Sequence, residues 1–208
     1  KRFIDKPIRL CIQDVFKSMS LGITVAGKLE SGTIIPRDKL LVLPLNEIVS
    51  VKALEINGEP VNIAKAGDNV DIGLKDVTDA SVLNVGQWLC DPSAPIPMVT
   101  TFRAQIITMS YKIPLLAGTS VLFYTQSTSE PVVVSKLISL LDHTSGQVSK
   151  TNPRALPRNC SAVVEIKSKK PICLELFREF RELGRFTLRR GTETVAVGIV
   201  TKLFRDFK

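Results

Sequence analysis

Histidine is nearly absent from this 208-residue chain, His143 being the only one, and tryptophan occurs once. The four cysteines, Cys11, Cys90, Cys160 and Cys173, stand far apart and form no C-x-x-C pair. A zinc site needs thiolates or imidazoles at short spacing, so no metal is assigned. Cys11 lies in the alternating run IRLCIQ and Cys173 in PICLEL, which makes each a small hydrophobe in a strand. That usage fits a reducing compartment, although the even count leaves disulfides open. Long apolar runs are missing too. The longest uncharged stretch, Ile113 to Ser129, is broken by Pro114, Gly118 and several hydroxyl residues. The opening KRFIDKPIRL has neither an initiator Met nor the apolar segment of a signal peptide. The chain therefore reads as a soluble, cytoplasmic piece of a longer protein, without membrane contact.

Two further absences bear on chemistry. No G-x-x-x-x-G-K-[ST] occurs, so the backbone cradle and magnesium-binding hydroxyl of a P-loop are missing. Asp142-His143 has no serine or cysteine nucleophile motif beside it and reads as surface loop, while Asp76 and Asp79 fall in a polar turn. No catalytic residue is assigned.

What the chain does have is strand patterning and positive charge. The net charge of +8 and a pI near 9.5 favour a polyanionic neighbour, but the basic residues are scattered, with no arginine-rich tail and no run of aromatics to stack bases. Any RNA contact would then be to its backbone. Ile8, Leu10 and Ile12 alternate with polar residues, as do Leu21, Ile23, Val25 and Leu29, with Lys17 to Ser20 as the turn between them. Ser31-Gly32 and Pro36-Arg37-Asp38 supply turn chemistry, Ile48 to Ile56 resumes a strand that Asn57-Gly58 closes, and Val70, Ile72 and Leu74 alternate again. About six short strands without a convincing helix predict a small closed barrel, because closure removes exposed edges.

The prolines of Asp91 to Pro97, DPSAPIP, cannot continue a central strand and read as a stiff connector. Two domains are expected, 1–92 and 93–208. In the second, Phe102 to Ile106, Ser120 to Thr125, Val132 to Leu141 and Ala162 to Ile166 are strand-like, and His143 to Asn159 is a loop with room for one short strand. Leu176 to Leu183, LFREFREL, is the one candidate for two helical turns, with Gly184 as the stop.

The segment from Gly184 to Val200, GRFTLRRGTETVAVGIV, reads as a hairpin. Phe186 and Leu188 face inward in its first arm, Val195, Val197 and Ile199 share a face in the second, and Gly191-Thr192-Glu193 turns the chain. Arg185, Thr187 and Arg189 are left on an outer face, alternate residues lying about 7 Å apart.

GRFTLR followed by TVAVGIV resembles the closing hairpin of the third domain in translational GTPases of the elongation factor 1-alpha superfamily. IRLCIQDVFK, GITVAGKLESGTI and KAGDNVDIGL resemble the second domain, and FRAQI with SEPVVVSKLISLLDHTSGQVSK the third. The resemblance implies an all-β fold of two consecutive small antiparallel β-barrels. Within the superfamily, SEPVV with LISLLDHTSGQVSK and KPICLELFREFRELGRFTLR is most similar to the ribosome-rescue GTPase that partners Pelota. Release factor 3 comes next, but its family has Asp where this chain has Arg190.

It further implies a binding module for ribosome rescue and mRNA surveillance. GTP and magnesium would sit in a domain upstream of Lys1, so no cofactor is expected in these residues and no hydrolysis by them alone. Gly184, Arg185, Thr187 and Arg189 would contact Pelota or another release-factor-like protein. Lys17, Lys28, Arg37 and Lys39 would contact ribosomal RNA of the small subunit. Release factor 3-like termination, aminoacyl-tRNA delivery and a nucleotide-dependent transferase resembling the sulfate adenylyltransferase large subunit remain as alternatives.

Overall fold

The computed structural model describes residues 3–77, 79–109, 114–126, 128–142 and 144–204, so His143 lies outside the described residues. The chain divides into two units, Lys1–Ile96 and Pro97–Lys208. In the first, β1 (Arg9–Ser18) and β2 (Gly22–Ser31) are followed by β3 (Thr33–Ile34), β4 (Lys39–Leu43), β5 (Glu47–Ile56), β6 (Glu59–Val61), β7 (Ala64–Lys65), β8 (Asn69–Lys75) and β9 (Trp88–Cys90). The strands β4-β9-β1-β2-β8-β5 are hydrogen-bonded in that order and β5 pairs back with β4, so the ring closes and no edge is left within it.

Local chemistry explains the turns. Ile56 pairs with Glu59 around Asn57 and Gly58, whose φ values of 53° and 79° are the left-handed pair that a type I′ hairpin demands. Inside the ring, Leu10, Ile12, Val25, Leu29, Ile34, Leu40, Leu54, Ile72 and Leu89 are fully buried or nearly so. Cys11 and Cys90 are buried, as are Cys160 and Cys173 in the second unit.

The second unit runs β10 (Met98–Thr108), β11 (Leu115–Leu116), β12 (Thr119–Thr125), β13 (Thr128–Leu141), β14 (Val148–Thr151), β15 (Ala155–Leu156), β16 (Ser161–Cys173), α1 (Arg181–Gly184), β17 (Arg185–Arg190) and β18 (Glu193–Phe204). Its ring has the order β12-β17-β18-β10-β16-β13, closed by β13 on β12, with β14 as an outrigger on β13. Phe102, Phe123 and Phe186 meet in the core, with ring centroids 5.6, 5.9 and 4.9 Å apart, alongside Val134, Val164, Ile166 and Leu188. The all-β architecture of two antiparallel barrels is therefore what the structure shows.

Three local readings change. Leu176 to Leu183 does not make two helical turns: only Arg181–Gly184 is helical, and the Phe177 N–H is instead taken by the Val200 carbonyl at 3.1 Å. The polar segment after His143 forms two short strands, β14 and β15, where one was expected. In β18 Val195 is buried as expected, but Ala196 and Val200 join it in the core and Val197 and Ile199 do not, because a bulge opposite Leu188/Arg189 leaves Val195 unpaired and shifts the register. Gly198 faces Phe186, and a Cβ there would lie 2.6 Å from the ring and 2.8 Å from the Ile106 side chain, so the second arm yields its core space to the phenyl ring.

Candidate partner-docking face

The hairpin β17–β18 turns through Gly191 and Thr192, with Arg190 opposite Glu193 and Gly191 at φ 60°. Glycine first in a two-residue loop with positive φ is the II′ arrangement, whose twist suits the flanking strands. Glu193 is thus already in the strand rather than in the turn.

Because Ala196 and Gly198 take the inner side, Val197 and Ile199 come to the outer face beside Thr187 and Arg185, their cross-strand partners. These residues, with Ile107, Tyr124, Phe177 and Glu182 among others, line an open groove of about 640 Å³. Its floor is apolar, and Ile107 is 49% exposed. Its rim is charged: the Arg185 guanidinium donates to the Glu182 carboxylate, which also accepts from the Gln126 amide at 3.4 Å. Arg185 is thereby held at the rim with donors to spare, since a guanidinium carries five N–H groups.

Arg189 behaves differently. Its guanidinium lies 5.5 Å from the Tyr124 ring centroid and donates to the Thr192 carbonyl at 3.0 Å, while its Nε is buried without a hydrogen-bond partner. It braces the turn as much as it faces outward. Gly184 is buried and ends α1, where a Cβ would lie 2.4 Å from the N and Cα of Phe177. It therefore acts by letting two backbones approach, not by offering a contact. Arg185, Thr187 and Arg189 do share the outer face, as the period-two pattern predicts. Glu182, Tyr124, Phe177 and Ile107 come from other parts of the sequence, and no motif pointed to them.

In the first unit Lys17 (β1), Lys28 (β2), Arg37 and Lys39 (β4) are all exposed. Arg37 occupies a left-handed turn position at φ 77°, its N–H bonded to the Val51 carbonyl at 2.8 Å. Lys39 and Lys75 both pair with Ser50, whereas Lys28 lies opposite Asn69, at the other end of β8, within 4.0 Å of Glu30. The structure does not gather these four into one cluster. Between them runs an acidic row: Asp14 and Asp71 flank Ala26, and Asp71 pairs with Glu55. Burial, then Glu55 and Asp14, raise the Asp71 carboxyl above its ordinary value.

Among the described residues no group of histidine, cysteine and carboxylate side chains is placed to hold a metal, and no helix is long and apolar enough to cross a membrane.

Residues 101–201 match the model of the GTP-eEF1A C-terminal domain-like family. Protein HBS1 of Drosophila melanogaster is 39% identical over 203 residues, which are 98% of this chain and 30% of that protein. The chain belongs to the elongation factor 1-alpha and release factor 3 superfamily. Elongation factor 1-alpha of Cenarchaeum symbiosum (strain A) is 31% identical, covering 99% of this chain and 47% of that factor. The crystal structure of Sup35 complexed with GMPPNP superposes with a TM-score of 0.89 at 30% identity, over 97% of this chain and 48% of that one. The chain thus spans between about a third and a half of the length of these superfamily members, and corresponds to their second and third domains.

Proposed function

We propose that these residues are the two binding barrels of a ribosome-rescue GTPase of mRNA surveillance, acting in no-go and non-stop decay, and that the groove beside β17–β18 takes a release-factor-like partner, Pelota. The observation that carries this reading is the 39% identity to protein HBS1 over 98% of the chain, against 31% and 30% for elongation factor 1-alpha and Sup35. Arg190 points the same way, since release factor 3 resembles the chain through GRFTLR but then has Asp.

The groove suits a protein partner. Val197, Ile199 and Ile107 offer apolar surface to a side chain, and Arg185, anchored by Glu182, offers donors to a carboxylate or carbonyl at the rim. Thr187 adds a hydroxyl beside them. On the first barrel, Lys17, Lys28, Arg37 and Lys39 are proposed as separate phosphate contacts to the small ribosomal subunit. GTP and magnesium belong, on this reading, to a domain outside these residues, and the whole protein works in the cytoplasm.

Titration calorimetry of the 208-residue chain with Pelota, and in parallel with release factor 1, tests the assignment. Pelota should bind and release factor 1 should bind more weakly. Arg185→Ala with Val197→Asp should weaken Pelota binding by roughly thirtyfold, the loss of about 2 kcal/mol typical of an interface hot spot. Undiminished Pelota affinity in that folded variant removes the groove from the interface, and preference for release factor 1 moves the chain to termination.

A further inference from the structure

We propose that the outer side of the β3–β7 ribbon on the first barrel docks an acidic segment of a protein partner, with an aliphatic side chain set between Ile35 and Ile63 and carboxylates on Arg37 and Lys65. This face belongs to the other unit from the β17–β18 groove and does not depend on it. For Arg37 it replaces the phosphate contact suggested above with a carboxylate. Thr33 pairs with Lys65 and Ile34 with Ala64. Ile34 and Ala64 are fully buried, and side chains alternate along a strand, so the next position on each, Ile35 and Ile63, returns to the wet side with Thr33 and Lys65. Ile35 and Ile63 are 46% and 44% exposed. Single exposed isoleucines are ordinary, but two that neighbour each other across a ribbon form a patch.

Two matching turns frame the pair. Ile35-Pro36-Arg37-Asp38 is closed by the Asp38 N–H on the Ile35 carbonyl at 3.2 Å, and Lys65-Ala66-Gly67-Asp68 by the Asp68 N–H on the Lys65 carbonyl at 3.0 Å. In each turn the aspartate folds back, its Oδ2 accepting from the first residue's N–H at 2.9 Å. The third position has positive φ, 77° at Arg37 and 99° at Gly67, as a type II turn requires. Glycine is the default there, and in the first turn a long cationic side chain takes its place at a cost in backbone strain. Both turn carboxylates are thus occupied by backbone donors. Arg37, Lys39 and Lys65 are exposed and, among the described residues, have no ion-pair partner.

An aliphatic centre with a cationic rim selects its ligand class. Protein interfaces bury an apolar centre inside a polar rim, and an exposed apolar patch rimmed by polar residues marks them. A phosphodiester backbone would leave the two isoleucines wet and gain nothing from them. Carboxylates answer the rim, because the Arg37 guanidinium can take one through two parallel N–H donors and Lys65 adds a point charge.

Methyl NMR of the 208-residue chain, labelled at its isoleucine methyl groups, tests this with the peptide EDLLEDLE as probe. The Ile35 and Ile63 signals should shift saturably, half-saturating at about 1 mM or below, the weak end of the affinity scale. Ile48, 57% exposed on β5, and Ile107 and Ile199 in the groove should stay in place. EDSSEDSE, with the same charge and no aliphatic anchor, should bind about tenfold more weakly or worse. Arg37→Glu with Lys65→Glu should weaken EDLLEDLE by about tenfold or more, since like charges then face each other. Should that variant melt early, Lys65→Glu alone should still weaken binding by about threefold. No saturable shift of Ile35 and Ile63, equal binding of the serine peptide, or larger shifts at Ile107 and Ile199 overturns the proposal. So do larger shifts at this face with an RNA duplex, which would give it to phosphate, or the same shifts on raising the protein concentration alone, which would give it to a second copy.

Discussion

At Gly184 an added methyl group would lie 2.4 Å from backbone atoms of Phe177, a distance no rotamer change can relieve. Gly184→Ala is expected to destabilise the second barrel by about 3 kcal/mol, the upper range for overpacking, as a fall in the denaturant midpoint. Because Phe177 lines the groove, affinity for the proposed partner, Pelota, should fall with it. Asp71 makes the opposite prediction. Its pKa is raised in the folded barrel above the ordinary 3.8, so the native state holds the proton more tightly than the unfolded chain does. The stabilising, protonated form is present below the ordinary value and is lost as pH rises through the raised one. Asp71→Asn should therefore raise the melting temperature at neutral pH, and its advantage should disappear at about pH 3. An advantage independent of pH would show that the cause is not the charge.

At the scale of the hairpin, the two arginines of GRFTLR are not equivalent. Arg185 is exposed and tied to Glu182, an ion pair of the kind that adds little to stability, so Arg185→Ala should change the melt by about 0.5 kcal/mol or less. Arg189 stacks on Tyr124, holds the Thr192 carbonyl and is partly buried, and its replacement by Ala should cost about 1 to 2 kcal/mol. Phe186→Ala empties a stacked aromatic core and should cost about 3 to 5 kcal/mol. Parallel thermal melts give the order directly, and equal effects from the two arginines would mean that Arg189 does not brace the turn.

For the molecule at large, the two closed rings have separate cores, and among the described residues no strand pairs from one ring to the other. A closed barrel satisfies its own backbone, so residues 1–96 and 97–208 are each expected to fold alone, with a β-type circular dichroism spectrum and a cooperative melt. A half that stays unfolded, or melts without cooperativity, would show that the barrels depend on each other.

Period-two alternation located most of the strands, because one face of each must be apolar and the other wet, and residues such as Leu10, Ile12, Phe102 and Leu188 obey that rule. Turn residues with special backbone needs, Asn57-Gly58 and Gly191, were legible for the same local reason. The superfamily was readable from GRFTLR and TVAVGIV. What the chain's own order could not reveal was whatever depends on register: the bulge at Leu188/Arg189 turned Val197 and Ile199 outward, since Phe186 needed the space above Gly198. Only closure of the barrel brought Ile107, Tyr124, Phe177 and Glu182 around Arg185 to form a groove, and only the pairing of β3 with β7 set Ile35 beside Ile63. Local pattern fixes which face of a strand is buried, whereas the neighbours on its exposed face are chosen by long-range pairing, which no short stretch of sequence encodes.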